Sequence, residues 1–160
     1  TFKILEENVK PFEDKFENFF IVNKGLGPFK CKMDIYEETA NTGQSNSVLQ
    51  PKGHCAQYPH IVFTGTKEIS MDPLDRYEPT EEFNFINIDV QGFELEVFRG
   101  AKQTLGNIQY IMTEVNRAEL YENCAMVEEL DEYLAKWKFK RVETEWVGET
   151  WGDALYVKDR

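Results

Sequence analysis

Three carboxylates lie at or near the ends of segments that the sequence predicts as β-strands. Glu6 follows the segment 1–5, Asp89 lies near the end of 83–90, and Glu114 lies near the end of 108–115. In an open α/β sheet, ligands bind at the carboxyl ends of the strands. We therefore expect the three carboxylates to border a site, where such groups bind ribose hydroxyls or act as bases. The alternative is that they are solvated loop acids in an acidic chain.

Asp89 and Glu114 each have a more specific alternative. Asp89 is also placed to cap a helix that begins near Gly92, and the two roles are compatible. Glu114 follows an apolar run, so we expect it to be partly buried, with the raised pKa that suits a base. The alternative for Glu114 is an ion pair with a nearby Lys or Arg. Asp89, Glu114 and Asn116 also carry oxygen atoms that could bind a metal, but no pattern predicts a metal site.

His54 and His60 are the two histidines of the chain. An imidazole titrates near neutral pH and can take a proton from a hydroxyl substrate. His54 lies in the long polar segment 37–59, where contact with a substrate is plausible, whereas His60 begins a predicted strand and is expected to be structural. We therefore take His54 as a second candidate base.

The composition limits the classes of function. The 160 residues suit one domain, 1–160, and the net charge of −11 argues against nucleic acid and anionic membranes as partners. No apolar run reaches the length of a membrane helix, and the charged first residues, TFKILEENVK, are not expected to be a signal peptide. Three widely spaced cysteines predict free thiols in a reducing cytoplasm rather than disulfides or a zinc site. Nothing in the sequence indicates an oligomeric state.

Strands and helices alternate along most of the chain. Strands are predicted over residues 1–5, 20–23, 29–36, 60–64, 67–71, 83–90, 108–115, 139–144 and 154–158. Helices are predicted over residues 9–20, 74–77, 93–99 and 127–137. This order predicts an α/β fold with a mostly parallel sheet and helices on both faces. The last two strands have no helix between them, so we expect an antiparallel hairpin at one edge.

The segment INIDVQGFELEVFRGA, residues 86–101, resembles the signature of the FkbM-type methyltransferases. In that family a strand ending K-I-D-V-E-G precedes a helix with A-E-L-x-V-L-x-G-A. Further segments resemble the family in order along nearly the whole chain: LEENVKPFEDKF, NTGQSNSVL, L-D-x-Y at residues 74–77, TEVN and GDALYVKD.

The resemblance implies a class I, Rossmann-like fold that uses S-adenosylmethionine, with an antiparallel last strand. It implies O-methylation of a hydroxyl on a sugar or other small metabolite. Glu6 would hold the ribose of the cofactor, and the backbone of Gly25 and Leu26 would lie against its adenine. Asp89 would lie near the methionine end or the acceptor, with Glu114 or His54 as the base.

Two departures from the family pattern leave other functions open. Gln91 stands where the family usually has Glu, and the first strand with its glycine-rich loop is absent, so we expect the domain to be incomplete at its N-terminus. Both departures favour a non-catalytic binding module on the same fold. A dinucleotide-dependent Rossmann-like enzyme is the other alternative, and it would need a glycine-rich loop upstream.

Overall fold

The computed structural model describes residues 2–13, 15, 21–77 and 83–159. The helices are α1 Phe2–Glu13, α2 Gly53–Gln57, α3 Glu94–Arg99, α4 Lys102–Asn107 and α5 Val127–Ala135, with a 3-10 turn at Leu74–Tyr77. The strands are β1 Gly25–Leu26, β2 Cys31–Glu38, β3 Phe63–Asp72, β4 Phe85–Ile88, β5 Tyr110–Asn116, β6 Phe139–Val147 and β7 Trp151–Lys158. No described helix is long and apolar enough to cross a membrane.

One sheet has four strands in the order β4-β5-β7-β6. β4 and β5 run parallel, and α3 and α4 lie between them in the chain. β7 is antiparallel to both β5 and β6. The predicted C-terminal hairpin and antiparallel last strand are therefore confirmed.

The other sheet has three strands in the order β1-β3-β2. β3 is one continuous strand, so the prediction of two short strands over residues 60–64 and 67–71 is wrong. The antiparallel ladder with β2 continues through Gly65, which pairs with Glu37. The long polar segment between these strands also contains the short helix α2.

The prediction of a mostly parallel sheet is wrong, because the described strands form two mixed sheets. The parallel pairs are β1–β3 and β4–β5, and the antiparallel pairs are β2–β3, β5–β7 and β6–β7. β2 and β3 are joined by a polar excursion instead of a crossover helix, and this connection lets them pair in opposite directions.

The N-terminal segment differs most from the prediction. Residues 1–5 were expected to form a strand, but α1 begins at Phe2. Phe2, Leu5 and Val9 recur at the three- and four-residue spacing of a helix face, and this period prevails over the short alternation. The predicted helix over residues 9–20 is present as far as Glu13, and residues 16–20 lie outside the described part. Residues 21–23, expected in a strand, have no regular structure.

The main core lies between the four-stranded sheet and the helices α3, α4 and α5. Fully buried side chains from these elements meet there, among them Val97, Phe98, Leu105, Ile111 and Leu130. Burial of one such side chain stabilises the fold by about 1.5–3 kcal/mol. The core anchors β5, the strand that carries Glu114.

The loop after β1 packs closely against the end of α3 at a pair of glycines. A Cβ atom added at Gly100 would overlap the carbonyl oxygen of Gly27, which follows β1. The residue after α3 must therefore lack a side chain for the loop after β1 to pack against it.

Candidate active site

A cavity of about 430 Å³ opens at the carboxyl ends of β4 and β5. Its lining combines carboxylates, aromatic rings, histidines and amides: Asn41, Gln44, Ser45, His54, Tyr58, His60, Ile61, Asp89, Gln91, Glu114, Leu120, Trp151 and Asp153. The structure thus brings together Asp89, Glu114 and His54, the three residues predicted from the sequence as catalytic candidates.

Carboxylates form a row across the four-stranded sheet. Glu114 on β5 pairs directly with Asp153 on β7, and Asp153 pairs with Glu145 on β6. Asp89 follows Ile88, the last residue of β4, which pairs with the residue before Glu114. Directly opposed residues of neighbouring strands share one face of a sheet, so like charges accumulate on this face.

Gln91 links the acids to each other. Its side-chain Nε2 donates to Asp89 Oδ1 at 2.7 Å and to Glu114 Oε2 at 3.0 Å. The hydroxyl of Tyr121 lies 2.9 Å from Gln91 Oε1 and 2.9 Å from the carbonyl oxygen of Ser45. A single hydroxyl proton serves one of these two acceptors at a time.

The turn that carries Gln91 has a backbone that most residues avoid. Gln91 and Gly92 have φ values of +54° and +95°. Glu94 Oε1 accepts hydrogen bonds from the backbone N–H groups of Val90 at 3.2 Å and Gly92 at 3.0 Å. A Cβ atom at position 92 would lie 2.8 Å from the Cβ of Cys124, so both conformation and space require glycine there.

The interpretation of Asp89 as a helix cap is wrong. α3 begins at Glu94, its N-cap residue is Phe93, and no side chain caps it. The Asp89 carboxylate accepts instead from the amide of Gln91. Asp89 is exposed and faces the cavity, where a ligand can reach it.

Glu114 is buried, as predicted, with 5% of its surface exposed. Burial, followed by the nearby Glu94, Asp89 and Asp153, raises its pKa to about 8, and the hydrogen bond from Gln91 opposes this rise. Within the described part of the chain, Glu114 pairs with no Lys or Arg. The predicted alternative, an ion pair, is therefore not found there.

Glu94 is a second buried acid beside the site. It is fully buried, and this burial raises its pKa to about 7 against the effect of its backbone hydrogen bonds. Its Oε2 atom has no hydrogen-bond partner in the part of the chain that the structure describes. Two neighbouring carboxyl groups thus titrate near neutral pH.

His54 lies on α2 with 4% of its surface exposed. Its ring packs against Tyr58, Phe63 and Tyr121 at centroid distances of 5.1, 5.6 and 5.2 Å. Burial lowers its pKa and so favours the neutral imidazole, and its buried Nδ1 has no hydrogen-bond partner among the described residues. His60, expected to be structural at the start of a strand, is exposed and precedes that strand.

The predicted cofactor contacts are not brought together. Glu6 is exposed on α1 rather than at a strand end, so its expected location is wrong. Gly25 and Leu26 form β1, beside Met71 and Asp72. Gly25 lines a cavity of about 590 Å³ and Leu26 an apolar one of about 300 Å³, whereas Asp89 lines the carboxylate cavity.

Sequence reasoning missed several residues of the site. Tyr121 and Ser45 lie in irregular segments, where no period of the sequence places Tyr121 beside Gln91 or Ser45 beside Tyr121. Asp153 could have been found, because it directly precedes the predicted strand 154–158. That strand forms part of β7, which pairs with β5. Among the described residues, no group of three or more His, Cys, Asp or Glu is placed to hold a metal ion.

Comparison with known proteins places the chain among methyltransferases. Residues 7–141 match the methyltransferase FkbM domain, so the chain belongs to this family. The 2-O-methyltransferase NoeI of Sinorhizobium fredii (strain NBRC 101917 / NGR234) is similar, with 37% identity over 81 residues, 49% of this chain. The chain spans 33% of the length of that relative. No solved structure matches the chain significantly.

Proposed function

We propose that this chain belongs to an S-adenosylmethionine-dependent O-methyltransferase, with a hydroxyl of a sugar or small metabolite as acceptor. Membership of the FkbM family and the similarity to a 2-O-methyltransferase support the reaction type. The observation that carries the proposal is the buried Glu114 beside Asp89 in one open cavity. A cytoplasmic location, which the three free thiols favour, is part of the same proposal.

The class I fold is the finer form of this proposal. The parallel pair β4–β5 and the antiparallel last strand β7 support it. The position of Asp89, directly after the last residue of β4, supports it as well, because ligands of open α/β sheets bind at the carboxyl ends of strands.

The described residues fit the positively charged part of the cofactor. S-adenosylmethionine supplies an electrophilic methyl group on a sulfonium, and it also carries an ammonium group. Asp89 has no Lys or Arg partner within the described residues, so its carboxylate is available to a cation. We place Asp89 at the methionine end. Glu6, Gly25 and Leu26 remain the proposed contacts of the ribose and adenine.

Glu114 is the proposed general base. A base works best when its pKa lies near the operating pH, and the pKa of Glu114 is raised to about 8. In its ionised form its carboxylate would take the proton of an acceptor hydroxyl in the cavity. Asp153, in the adjoining cross-strand position, would hold a neighbouring polar group of the acceptor.

His54 is the other candidate base. Its neutral imidazole has a lone pair to accept a proton, and its ring lines the same cavity. Its Nδ1 atom is buried, however, and three aromatic rings surround the imidazole. Glu114 is therefore preferred, and His54 is assigned to shaping the cavity wall.

The alternative function is a non-catalytic binding module. The separation of Glu6, Gly25 and Leu26 from the carboxylate cavity favours it, because these residues do not form one cofactor pocket.

Calorimetric titration with S-adenosylhomocysteine tests the cofactor assignment. We expect saturable micromolar binding that Asp89→Asn weakens about tenfold or more. Asp34→Asn is the matched control, since Asp34 is an exposed acid on β2. Failure of the folded chain to bind would contradict the assignment.

A transfer assay then separates the enzyme from the binding module. The chain is incubated with S-adenosylmethionine labelled in its methyl group and a panel of neutral sugars. Transfer of the label to a sugar, and loss of this transfer in Glu114→Gln, would support the enzyme. Binding of the cofactor without transfer to any acceptor favours the module.

A further inference from the structure

The side chain of Gln91 contacts the two acids of the site and one hydroxyl. Its Nε2 donates to both Asp89 Oδ1, at 2.7 Å, and Glu114 Oε2, at 3.0 Å. Its Oε1 accepts from the hydroxyl of Tyr121 at 2.9 Å. One amide thus serves three polar partners at the base of the cavity.

The ionised state of the site favours one orientation of the amide. Ionised carboxylates only accept hydrogen bonds, so in that state the NH₂ end faces Asp89 and Glu114, as in the structure. The carbonyl end then faces Tyr121, whose hydroxyl can donate. A carboxylate at position 91 would have no N–H to donate and would add another negative charge to the row.

The backbone of Gln91 is held as firmly as its side chain. The Ser47 hydroxyl donates to the Gln91 carbonyl oxygen at 2.7 Å. The N–H of Gly92, which belongs to the same peptide group, donates to Glu94. Both polar atoms of the peptide group that follows Gln91 are therefore held, next to a residue with a left-handed φ.

We infer that Gln91 is a positioning residue: its amide holds the ionised carboxylate of Glu114 at a fixed distance from that of Asp89, and Tyr121 orients the amide. The inference rests on the proposed function, in which Glu114 is the base. It assigns the base a dedicated hydrogen-bond donor at the position where the family usually has Glu.

Other titratable groups also act on Glu114. Glu94 on α3, Asp89 after β4 and Asp153 on β7 each favour its protonated form through like charge. The amide of Gln91 is the contact that favours the ionised form. Removal of this donor should therefore raise the pKa of Glu114.

The test is a pH titration of the Glu114 carboxyl carbon by NMR, on the whole chain without ligand. Gln91→Met keeps a side chain of similar length but removes the donor. We expect the midpoint of Glu114 to rise by about one pH unit or more in this variant. Gln103→Met is the control, because Gln103 is exposed on α4 and its side chain makes no hydrogen bond within the described residues. It should leave the midpoint unchanged.

A second variant covers the case in which Gln91→Met does not fold. Tyr121→Phe removes only the hydroxyl that orients the amide, and it should raise the same midpoint by a smaller amount. An unchanged midpoint in a folded Gln91→Met protein, or in Tyr121→Phe where Gln91→Met is unfolded, overturns the inference.

The result is distinguishable from failure of the proposed function. If S-adenosylhomocysteine does not bind the unaltered chain, the proposed function fails, yet the midpoint still reports on the contact between Gln91 and Glu114. If the cofactor product binds and the midpoint does not move, the function stands and the role of Gln91 does not.

Discussion

Glu114 and Asp153 lie directly opposite each other on the antiparallel strands β5 and β7. Like charges in such a pair destabilise a sheet. The protein accommodates the pair because Glu114 is buried, which raises its pKa to about 8, so that it keeps its proton until the pH approaches that value. A cross-strand contact that would oppose folding thereby supplies a carboxyl group that ionises near neutral pH.

The first prediction concerns the dependence of stability on pH. The pKa of Glu114 is about 8 in the native state and that of Glu94 about 7, against an ordinary value of 4.5. Between these values the native state holds protons that the unfolded chain releases. The free energy of unfolding should therefore be highest near pH 4.5 and fall by a few kcal/mol as the pH rises to about 8.

Urea unfolding between pH 5 and 8.5 (about the range of the two titrations) measures this effect. Glu114→Gln removes one of the two groups, so its free energy of unfolding should decline less steeply than that of the unaltered chain. Equal slopes in the two proteins would contradict the assignment of a raised pKa to Glu114.

The second prediction tests Glu6. If Glu6 holds the ribose of the cofactor, Glu6→Ala should weaken the binding of S-adenosylhomocysteine at least tenfold, about 1.4 kcal/mol. Glu7→Ala is the matched control, because Glu7 is the next exposed acid on α1. Equal affinities of the two variants in calorimetry would remove Glu6 from the cofactor site.

The third prediction concerns the aromatic surroundings of His54. His54→Ala would leave a cavity among Tyr58, Phe63 and Tyr121 and should lower the free energy of unfolding by about 2–4 kcal/mol. His54→Phe fills the same space and should cost less. Urea unfolding compares both with His60→Ala, which alters an exposed side chain and should be nearly neutral. A neutral His54→Ala would show that the packing around the imidazole is loose.

The fourth prediction compares two glycines near α4. Gly100→Ala would force a methyl group against the carbonyl oxygen of Gly27 and should destabilise the protein by about 2 kcal/mol or more. Gly106→Ala meets no atom within 4 Å and lies inside a helix, so it should stabilise by about 0.5–1 kcal/mol. Thermal unfolding measures both, and equal melting temperatures would show that the loop after β1 does not pack closely against Gly100.

Periodicity predicted the elements whose faces are clearly apolar or polar. The core strands β4 and β5, the helix α5 and the C-terminal hairpin all lie where the sequence indicates. The position of Asp89 beside Glu114 followed from the rule that parallel strands end at one edge. These features depend on local pattern and simple topology, both of which a single sequence carries.

Features that depend on contacts between distant or irregular segments were not predictable. The bond between Tyr121 and Ser45 joins residues 76 positions apart, neither in a helix nor in an extended strand. The continuity of β3 through Gly65 depends on its partner β2, whereas glycine alone predicts an interruption. At the N-terminus, the three- and four-residue spacing of apolar side chains prevailed over a five-residue alternation.

The hydrogen bonds of Ser45 and Ser47 connect the wall of the cavity to the residues around the proposed base, Glu114. Both residues belong to the polar excursion between β2 and β3, yet one contacts Tyr121 and the other contacts Gln91. If this excursion moves aside, the Ser47 bond to the turn is lost, and the Tyr121 hydroxyl no longer has the Ser45 carbonyl oxygen as an acceptor that competes with the Gln91 amide. Entry of a ligand from this side and the readiness of Glu114 to release its proton are therefore not independent events.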